Sequence, residues 1–357
     1  MNNNLKQLAS FAARGTAPEG YTNEDVKTAF KALVREKCGT LNDFERNKYD
    51  IYDIIIENVD DVVPTKTLDI IGSFAEVRNF AQGERAVFKT GRGSMGRQRA
   101  KKFITSVALS GVYESFRLDS DVFTVGMSAI GTGVSIDFER MLDGSDSLAD
   151  LMDVVAEGMV ERVLLEVQAA LRAALTAANV PSANRVIASS FDPDQMVLLV
   201  NTVKAYSAGA IGRSGSAIIF APPEFIAAMG PDAIVPPISG AAQGIYHPDD
   251  IDAIHKTGYI KLFRGTPVVE LPQSFVDASN SQVWIDPQMA YVLPAGNEKV
   301  VKVAYEGTTH ILEHRNRDFS YEFQIYRKMG VGISTYHNWG IYQNTGIDNS
   351  AFYDPAL

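Results

Sequence analysis

The run SLADLMDVVAEGMVERVLLEVQAALRAALTAA, residues 147–178, constrains the fold more than any other stretch. Apolar residues recur at Leu148, Leu151, Met152, Val155, Met159, Val163, Val167, Ala170, Leu171 and Ala174, a spacing that lines them along one face of a helix. Ser147 with Asp150 makes a capping box, and acids crowd the first turns, where the helix dipole favours them. A continuous helix from Leu148 to Ala178 is about 45 Å long at about 1.5 Å per residue. A helix of that length exceeds the usual globular range and predicts a spine on which other elements pack.

The 357-residue chain is too long for one core, since single cores stop growing at roughly 250–300 residues, so two lobes are expected. Hydrophobic residues make up 46% and charged residues 21%, which excludes general disorder. No apolar run approaches the roughly 18–20 residues that span a bilayer, and MNNNLKQLAS lacks the apolar stretch of an export signal; no membrane partner is expected. Cys38 is the only cysteine, which excludes an intrachain disulfide and fits a reducing compartment. It carries no local activating motif and reads as an inert thiol.

Charge is uneven. The chain carries 33 basic and 43 acidic residues, a net of −10, the wrong sign for a protein whose main work is gripping phosphates. Yet Lys89, Arg92, Arg97, Arg99, Lys101 and Lys102 fall within fourteen residues that contain no acid. Gly91, Gly93 and Gly96 stud the same stretch at the spacing G-x-G-x-x-G. A dinucleotide site needs a buried strand before those glycines and an amphipathic helix after them. Here the preceding ERAVFKT is short and flanked by charge, and a basic, then β-branched, run follows, so the nucleotide reading fails. A basic, glycine-studded segment in an acidic chain suits an extended arm that meets an acidic surface on another copy.

Other motifs are weaker. His310, Glu313 and His314 match the inverted zincin pattern H-x-x-E-H, but their surroundings read as strand. In a strand, positions four apart lie about 13 Å from each other, too far for two imidazoles to share one zinc. His247, His255 and His337 show no ligand spacing. Tyr336, Trp339, Tyr342 and Phe352 read as core or interface aromatics, because few basic residues interleave with them. Nothing converges on a catalytic constellation, and no cofactor or metal is expected.

Along the chain, residues 1–80 read as an arm of short helices without a compact core. One helix is capped by Thr22-Asn23-Glu24-Asp25 and runs through Val26, Phe30, Leu33 and Val34; an apolar cluster from Ile51 to Ile56 is broken at Pro64. Residues 81–126 read as a long hairpin with a glycine-rich tip. A helix over DPDQMVLLVNTVKAYSA, a buried strand SAIIFA leading into PPEFIAAM, a Gly/Pro-rich loop and a β-dominated remainder complete the order.

That order of parts resembles the HK97-fold major capsid proteins of tailed bacteriophages. Residues 91–102 with their flanks resemble the family's extended loop, residues 148–178 its spine helix, and GSAIIFAPPEFIAAM with TGYIKLFRGTPVVELP its axial-domain strand and helix and the returning turn at Gly265, Pro267, Val268 and Val269. The resemblance implies an α+β fold: an N-terminal arm at 1–80, an extended loop at 81–126, the spine helix and first part of a peripheral domain at 127–190, an axial domain at 191–264, and a β-rich peripheral return with a C-terminal tail at 265–357. It implies a shell subunit that assembles with itself into pentamers and hexamers around double-stranded DNA. A scaffolding protein, a portal and a decoration protein are its implied partners, the virion its location and the host cytoplasm its place of assembly. The basic residues of the loop would then pair with acids on a neighbour, with Asp143, Asp146, Asp150, Asp153 and Glu157 as candidate acceptors, and the three glycines would let the tip change conformation as the shell matures. The rival readings are an encapsulin-type compartment shell, which shares the fold, and a soluble α/β enzyme.

Overall fold

The computed structural model describes residues 11, 22–37, 39–89, 122–136, 140, 148–176, 180–207, 215–229, 261–295, 299–315, 321–334 and 338–353. They divide into two compact units, one drawn from residues 1–86, 124–166 and 302–332, the other from 87–123, 167–301 and 333–357.

The first unit begins with helix α1 (Asn23–Lys37). Thr22 and Asp25 cap it reciprocally: the Thr22 amide donates to the Asp25 carboxylate at 2.9 Å, and the Asp25 amide donates to Thr22 Oγ1 at 3.3 Å. Helix α2 (Leu41–Ile71) starts at Thr40, whose hydroxyl accepts from the Asp43 amide at 3.2 Å. The expected break at Pro64 does not occur; Pro64 sits inside one 31-residue helix. A proline leaves the carbonyl four residues back without its helical donor. That carbonyl belongs to Asp60, and Arg327 Nη1 donates to it from the sheet at 3.4 Å. Burial also holds the helix through the proline, because Ile51, Ile54, Ile55, Val59, Val62 and Val63 are all buried. Residues 41–71 are therefore part of a core and not a chain of short, coreless helices.

Four strands complete this unit: β1 (Ala75–Phe80), β4 (Ser128–Ile136), β10 (Val301–Arg315) and β11 (Tyr321–Ile333), in the order β1-β10-β11-β4. β11 runs antiparallel to β4 from Tyr321↔Ile136 to Met329↔Ser128. Just beyond that register a Cβ on Gly330 would stand 2.1 Å from the Gly126 carbonyl oxygen, so only glycine lets the two backbones pass. Strands β2 (Val87–Lys89) and β3 (Val122–Thr124) form a two-stranded sheet at the foot of the expected hairpin, next to a hydrogen bond from the Val125 amide to the Ala86 carbonyl at 3.0 Å.

The spine helix is α3 (Leu148–Thr176), one continuous element whose residues to Glu166 group with the first unit and from Val167 with the second. Val155, Met159, Val163, Val167, Leu171 and Ala174, all on the face anticipated from spacing, are buried.

The second unit is built on a six-stranded sheet with the order β5-β12-β9-β6-β8-β7. Its strands are β5 (Arg185–Ala188), β6 (Ala217–Ala221), β7 (Leu262–Phe263), β8 (Thr266–Glu270), β9 (Met289–Pro294) and β12 (Gly340–Asn344). Helix α4 (Pro193–Ser207) buries Met196, Leu199, Val200 and Val203 with Phe225, Ile226 and Met229 of α5 (Pro223–Met229) in one core with Ile219, Val268, Val292 and Tyr342 of the sheet. β8 pairs in parallel with β6, at Ile219↔Val268. The chain on either side of residue 265 thus shares one sheet, and the anticipated division there falls inside it. Arg264 and Gly265, with φ of 43° and 77°, make the two-residue turn from β7 to β8, a left-handed conformation suited to glycine.

Candidate inter-subunit surface

Most of the anticipated contact loop lies outside the described residues: Gly91, Arg92, Gly93, Gly96, Arg97, Arg99, Lys101 and Lys102 all do, as does Cys38. Lys89 is described only as the last backbone position of β2. Of the candidate acceptors, Asp143 and Asp146 lie outside as well, and Asp150 is described only as part of the α3 backbone.

Asp153 and Glu157 stand one turn apart on α3, with side chains 37% and 62% exposed. Lys66 of α2 reaches both, its Nζ 3.3 Å from Asp153 Oδ1 and 3.9 Å from Glu157 Oε1. An exposed pair of this kind is worth about 0–1 kcal/mol, too little to withhold either carboxylate from a stronger cationic partner. These two acids are the part of the anticipated electrostatic surface that the structure brings together.

A second polar cluster was missed from the sequence. Around Pro64, Asp60 Oδ1 accepts from the Thr309 amide at 2.9 Å and from Thr309 Oγ1 at 2.6 Å, and lies 3.5 Å from Arg327 Nη1. Arg327 is buried, with its guanidinium 4.7 Å from the Tyr305 ring centroid. Tyr305 shares a 2.8 Å hydrogen bond with Thr67, whose hydroxyl donates to the Val63 carbonyl at 2.7 Å. The cluster thus pins α2 to the sheet on both sides of its proline. One signal was available: Asp60 stands four residues before Pro64, at the one carbonyl that a proline must orphan. Further along the sheet, Glu306 accepts from the Gly83 amide at 2.9 Å and faces Lys328 at 3.4 Å; the Gly83 amide, above all, holds its carboxyl below the ordinary range.

His310, Glu313 and His314 all fall on strand β10. His310 stacks on Tyr326 with ring centroids 5.2 Å apart, while Glu313 accepts from Lys48 at 3.1 Å and from the Tyr52 hydroxyl at 2.8 Å. His310 and Glu313 are engaged in structural contacts and His314 is exposed, in a strand geometry unlike that of a zinc helix. Among the described residues no group of three or more His, Cys, Asp or Glu side chains is placed to hold a metal. No described helix is long and apolar enough to cross a membrane. Trp339 and Tyr342 are buried, and Phe352 lies under the Arg172 guanidinium at 4.5 Å, so these three aromatics are packing residues; Tyr336 lies outside the described residues.

A long helix shared by two α/β units, a two-stranded ribbon of β2 and β3 and a four-stranded sheet of long strands together define an HK97-like capsid fold. The chain belongs to the YonB family, whose model, described as "SPbeta prophage-derived putative capsid protein YonB", matches residues 4–343. In structure it is similar to a chain of the satellite phage P4 procapsid, with a TM-score of 0.51, 9% identity, and coverage of 84% of this chain and 97% of that one. It is also similar to the capsid of cyanophage P-SCSP1u (TM-score 0.48, 10% identity, 77% and 87% covered) and to a virus-like particle from Pyrococcus furiosus (TM-score 0.45, 13% identity, 82% and 98% covered). No curated protein matches the chain. The protein is a major capsid protein of phage type, a structural component of the virion built from many copies of itself.

Proposed function

We propose that this chain forms the icosahedral head shell of a tailed phage from pentamers and hexamers, assembled in the host cytoplasm, and that the basic loop at residues 89–102 joins neighbouring copies. The subunit acts by association and not by catalysis. One observation carries the loop's role: six basic residues without an intervening acid, in a chain whose half-exposed Asp153 and Glu157 have only Lys66 as a cationic partner among the described contacts. Charge of opposite sign on two parts of one chain steers copies together and sets their register. Asp143, Asp146 and Asp150 extend the same acceptor surface in this reading. The glycines at 91, 93 and 96 give the loop the conformational range that a maturing shell demands. A scaffolding protein and a portal complete the assembly, a decoration protein binds its outside, and the acidic balance of the chain suits a container that holds DNA without gripping it.

Electron microscopy and sedimentation of the protein expressed alone, and with a scaffold supplied, test the shell. Shells, capsomer rings or tubes are expected, and a uniform monomer or dimer under all conditions would refute it. Reversing charge at Arg97, Arg99, Lys101 and Lys102 tests the loop. Assembly should fail at low salt, and a second reversal at Asp153 and Glu157 should restore part of it. Intact assembly at low and high salt would remove the electrostatic role, because exposed charges are screened beyond about 10 Å at 0.1 M salt.

A further inference from the structure

Between β8 and β9 the chain makes a small hairpin. Phe275 pairs antiparallel with Val283, the Val276 amide donates to the Gln282 carbonyl at 2.9 Å, and the Trp284 amide donates to the Ser274 carbonyl at 2.9 Å. Phe352 pairs in parallel with Val283 from the other side, so residues 274–276, 282–284 and 351–353 form a ribbon three strands wide. Directly paired residues project from the same side, which puts Phe275, Val283 and Phe352 in one apolar row. The Arg172 guanidinium of α3 covers the Phe352 end of the row at 4.5 Å. The Phe275 end is bare. It is 54% exposed and, among the described residues, is the one aromatic side chain of the second unit left so open. The hairpin also withholds its charge: from Leu271 to Ile285 the one charged residue is Asp277, in a chain that is 21% charged. That carboxylate is turned into the tip, accepting from the Ser281 amide at 2.9 Å, the Gln282 amide at 2.8 Å and the Ser281 hydroxyl at 2.6 Å, and from the Ser279 hydroxyl. A tip fixed in this way presents Phe275 in one position, so little freedom is lost when another surface packs on it.

We infer that this row is a contact between two copies of the chain across a two-fold axis of the shell, Phe275 of one copy packing against the same phenylalanine and Val283 of the other. The inference rests on the shell reading above, which supplies the second copy and its two-fold axes. The occupant follows from the chemistry of the patch. An apolar, aromatic centre depleted of charge is the composition of the middle of a protein–protein contact. Nucleic acid does not suit it, because the cation beside the row, Arg172, is held 3.0 Å from the buried carboxylate of Asp286. The protein is built from many copies of itself, and a patch without charge can face its own image with no like-charge repulsion, which an acidic or basic patch cannot. One phenylalanine buries about 150–250 Å², well short of the about 800 Å² per partner of a standard interface. The row is therefore an anchor within a larger contact, and it does not pair free subunits.

The test uses the full chain in two forms. The unmodified protein is footprinted with hydroxyl radicals, and oxidation of Phe275 should fall several-fold in shells relative to free subunits. A second form carries Cys38→Ser with Phe275→Cys, so that the introduced thiol is the only one present. A two-fold contact sets a residue opposite itself, so this single variant should form disulfide-linked dimers in shells and none as free subunits, provided the two Cα atoms approach within the about 4.4–6.8 Å that a disulfide spans. Ala278→Cys, exposed at the tip of the same hairpin, controls for chance collision and should stay unlinked. A Phe275→Cys subunit that melts like the unmodified one but forms no shells would also support the contact, since the side chain is half exposed before assembly. Equal oxidation of Phe275 in shells and free subunits would overturn the inference and leave the shell reading standing. Protection in shells whose Phe275→Cys form does not crosslink to itself would overturn the two-fold pairing. Protection that appears only when a scaffolding or decoration protein is supplied would assign the row to that protein and overturn the second copy as its occupant. Failure of the unmodified chain to form shells would overturn the shell reading and this inference with it.

Discussion

Asp60→Ala probes how a helix is carried through its own proline. The Asp60 carboxylate accepts both the amide and the hydroxyl of Thr309, at 2.9 and 2.6 Å, and lies 3.5 Å from a guanidinium that is only 2% exposed. Removing it leaves a buried cation without its carboxylate and two donors without an acceptor. Breaking a buried ion pair from one side costs about 3–5 kcal/mol, and the abandoned Thr309 groups place this case within that range and not below it. Asp60→Asn keeps an acceptor for Thr309 and should cost less. The double variant Asp60→Ala with Arg327→Met removes both charges together and should recover most of the loss, as apolar replacement of a whole pair often does. Chemical denaturation of the free subunit followed by far-ultraviolet circular dichroism is the suitable assay, because Trp284 and Trp339 both belong to the second unit and would report the wrong one. A loss under about 1 kcal/mol for Asp60→Ala, or a double variant no better than the single one, would refute the reasoning.

Glycines offer a paired test. Gly158 lies within α3 with no atom near its missing Cβ, so Gly158→Ala should stabilise the free subunit by about 0.5–1 kcal/mol in thermal denaturation; a gain in stability with a loss of assembly would mark that face as a contact. Gly330→Ala meets the Gly126 carbonyl at 2.1 Å and should cost at least about 1–3 kcal/mol, whereas Gly133→Ala, whose nearest neighbour is a side-chain atom at 3.8 Å, should be nearly silent. Acid titration tests Glu76. Burial pushes its carboxyl up, but Lys302 and Arg78 together hold it below the ordinary 4.5. A lowered folded value means that its contribution to stability is complete above pH 4.5 and drains away as the pH falls through the folded value. Glu76→Gln should therefore flatten the acid limb of the stability profile while leaving its slope near neutral pH unchanged.

Where a pattern is local, it was legible. The period of apolar residues from Val155 to Ala174 named the buried face of α3, and Thr22 with Asp25 named the start of α1, because a helix repeats every 3.6 residues and its cap is spelled within four. The strand reading of residues 310–314 held for the same reason. Pro64 shows where local rules stop. Propensity alone ends a helix there, yet α2 continues, since Arg327, more than 260 residues away in sequence, takes over the orphaned carbonyl. Among the candidate contact residues, composition singled out the basic run and the acids at the head of the spine, but only the structure showed Lys66 lying against Asp153 and Glu157.

By itself, then, the sequence determined the spine helix, the charge asymmetry and the order of parts that marks a capsid subunit. These rest on interactions between residues a few positions apart, which periodicity and composition record directly. The tertiary structure alone decided which strands are neighbours, joining β8 to β6 across residue 265 and leaving β4 as an uncharged outer edge. Strand order is set by packing among distant segments, and no spacing along the chain encodes it.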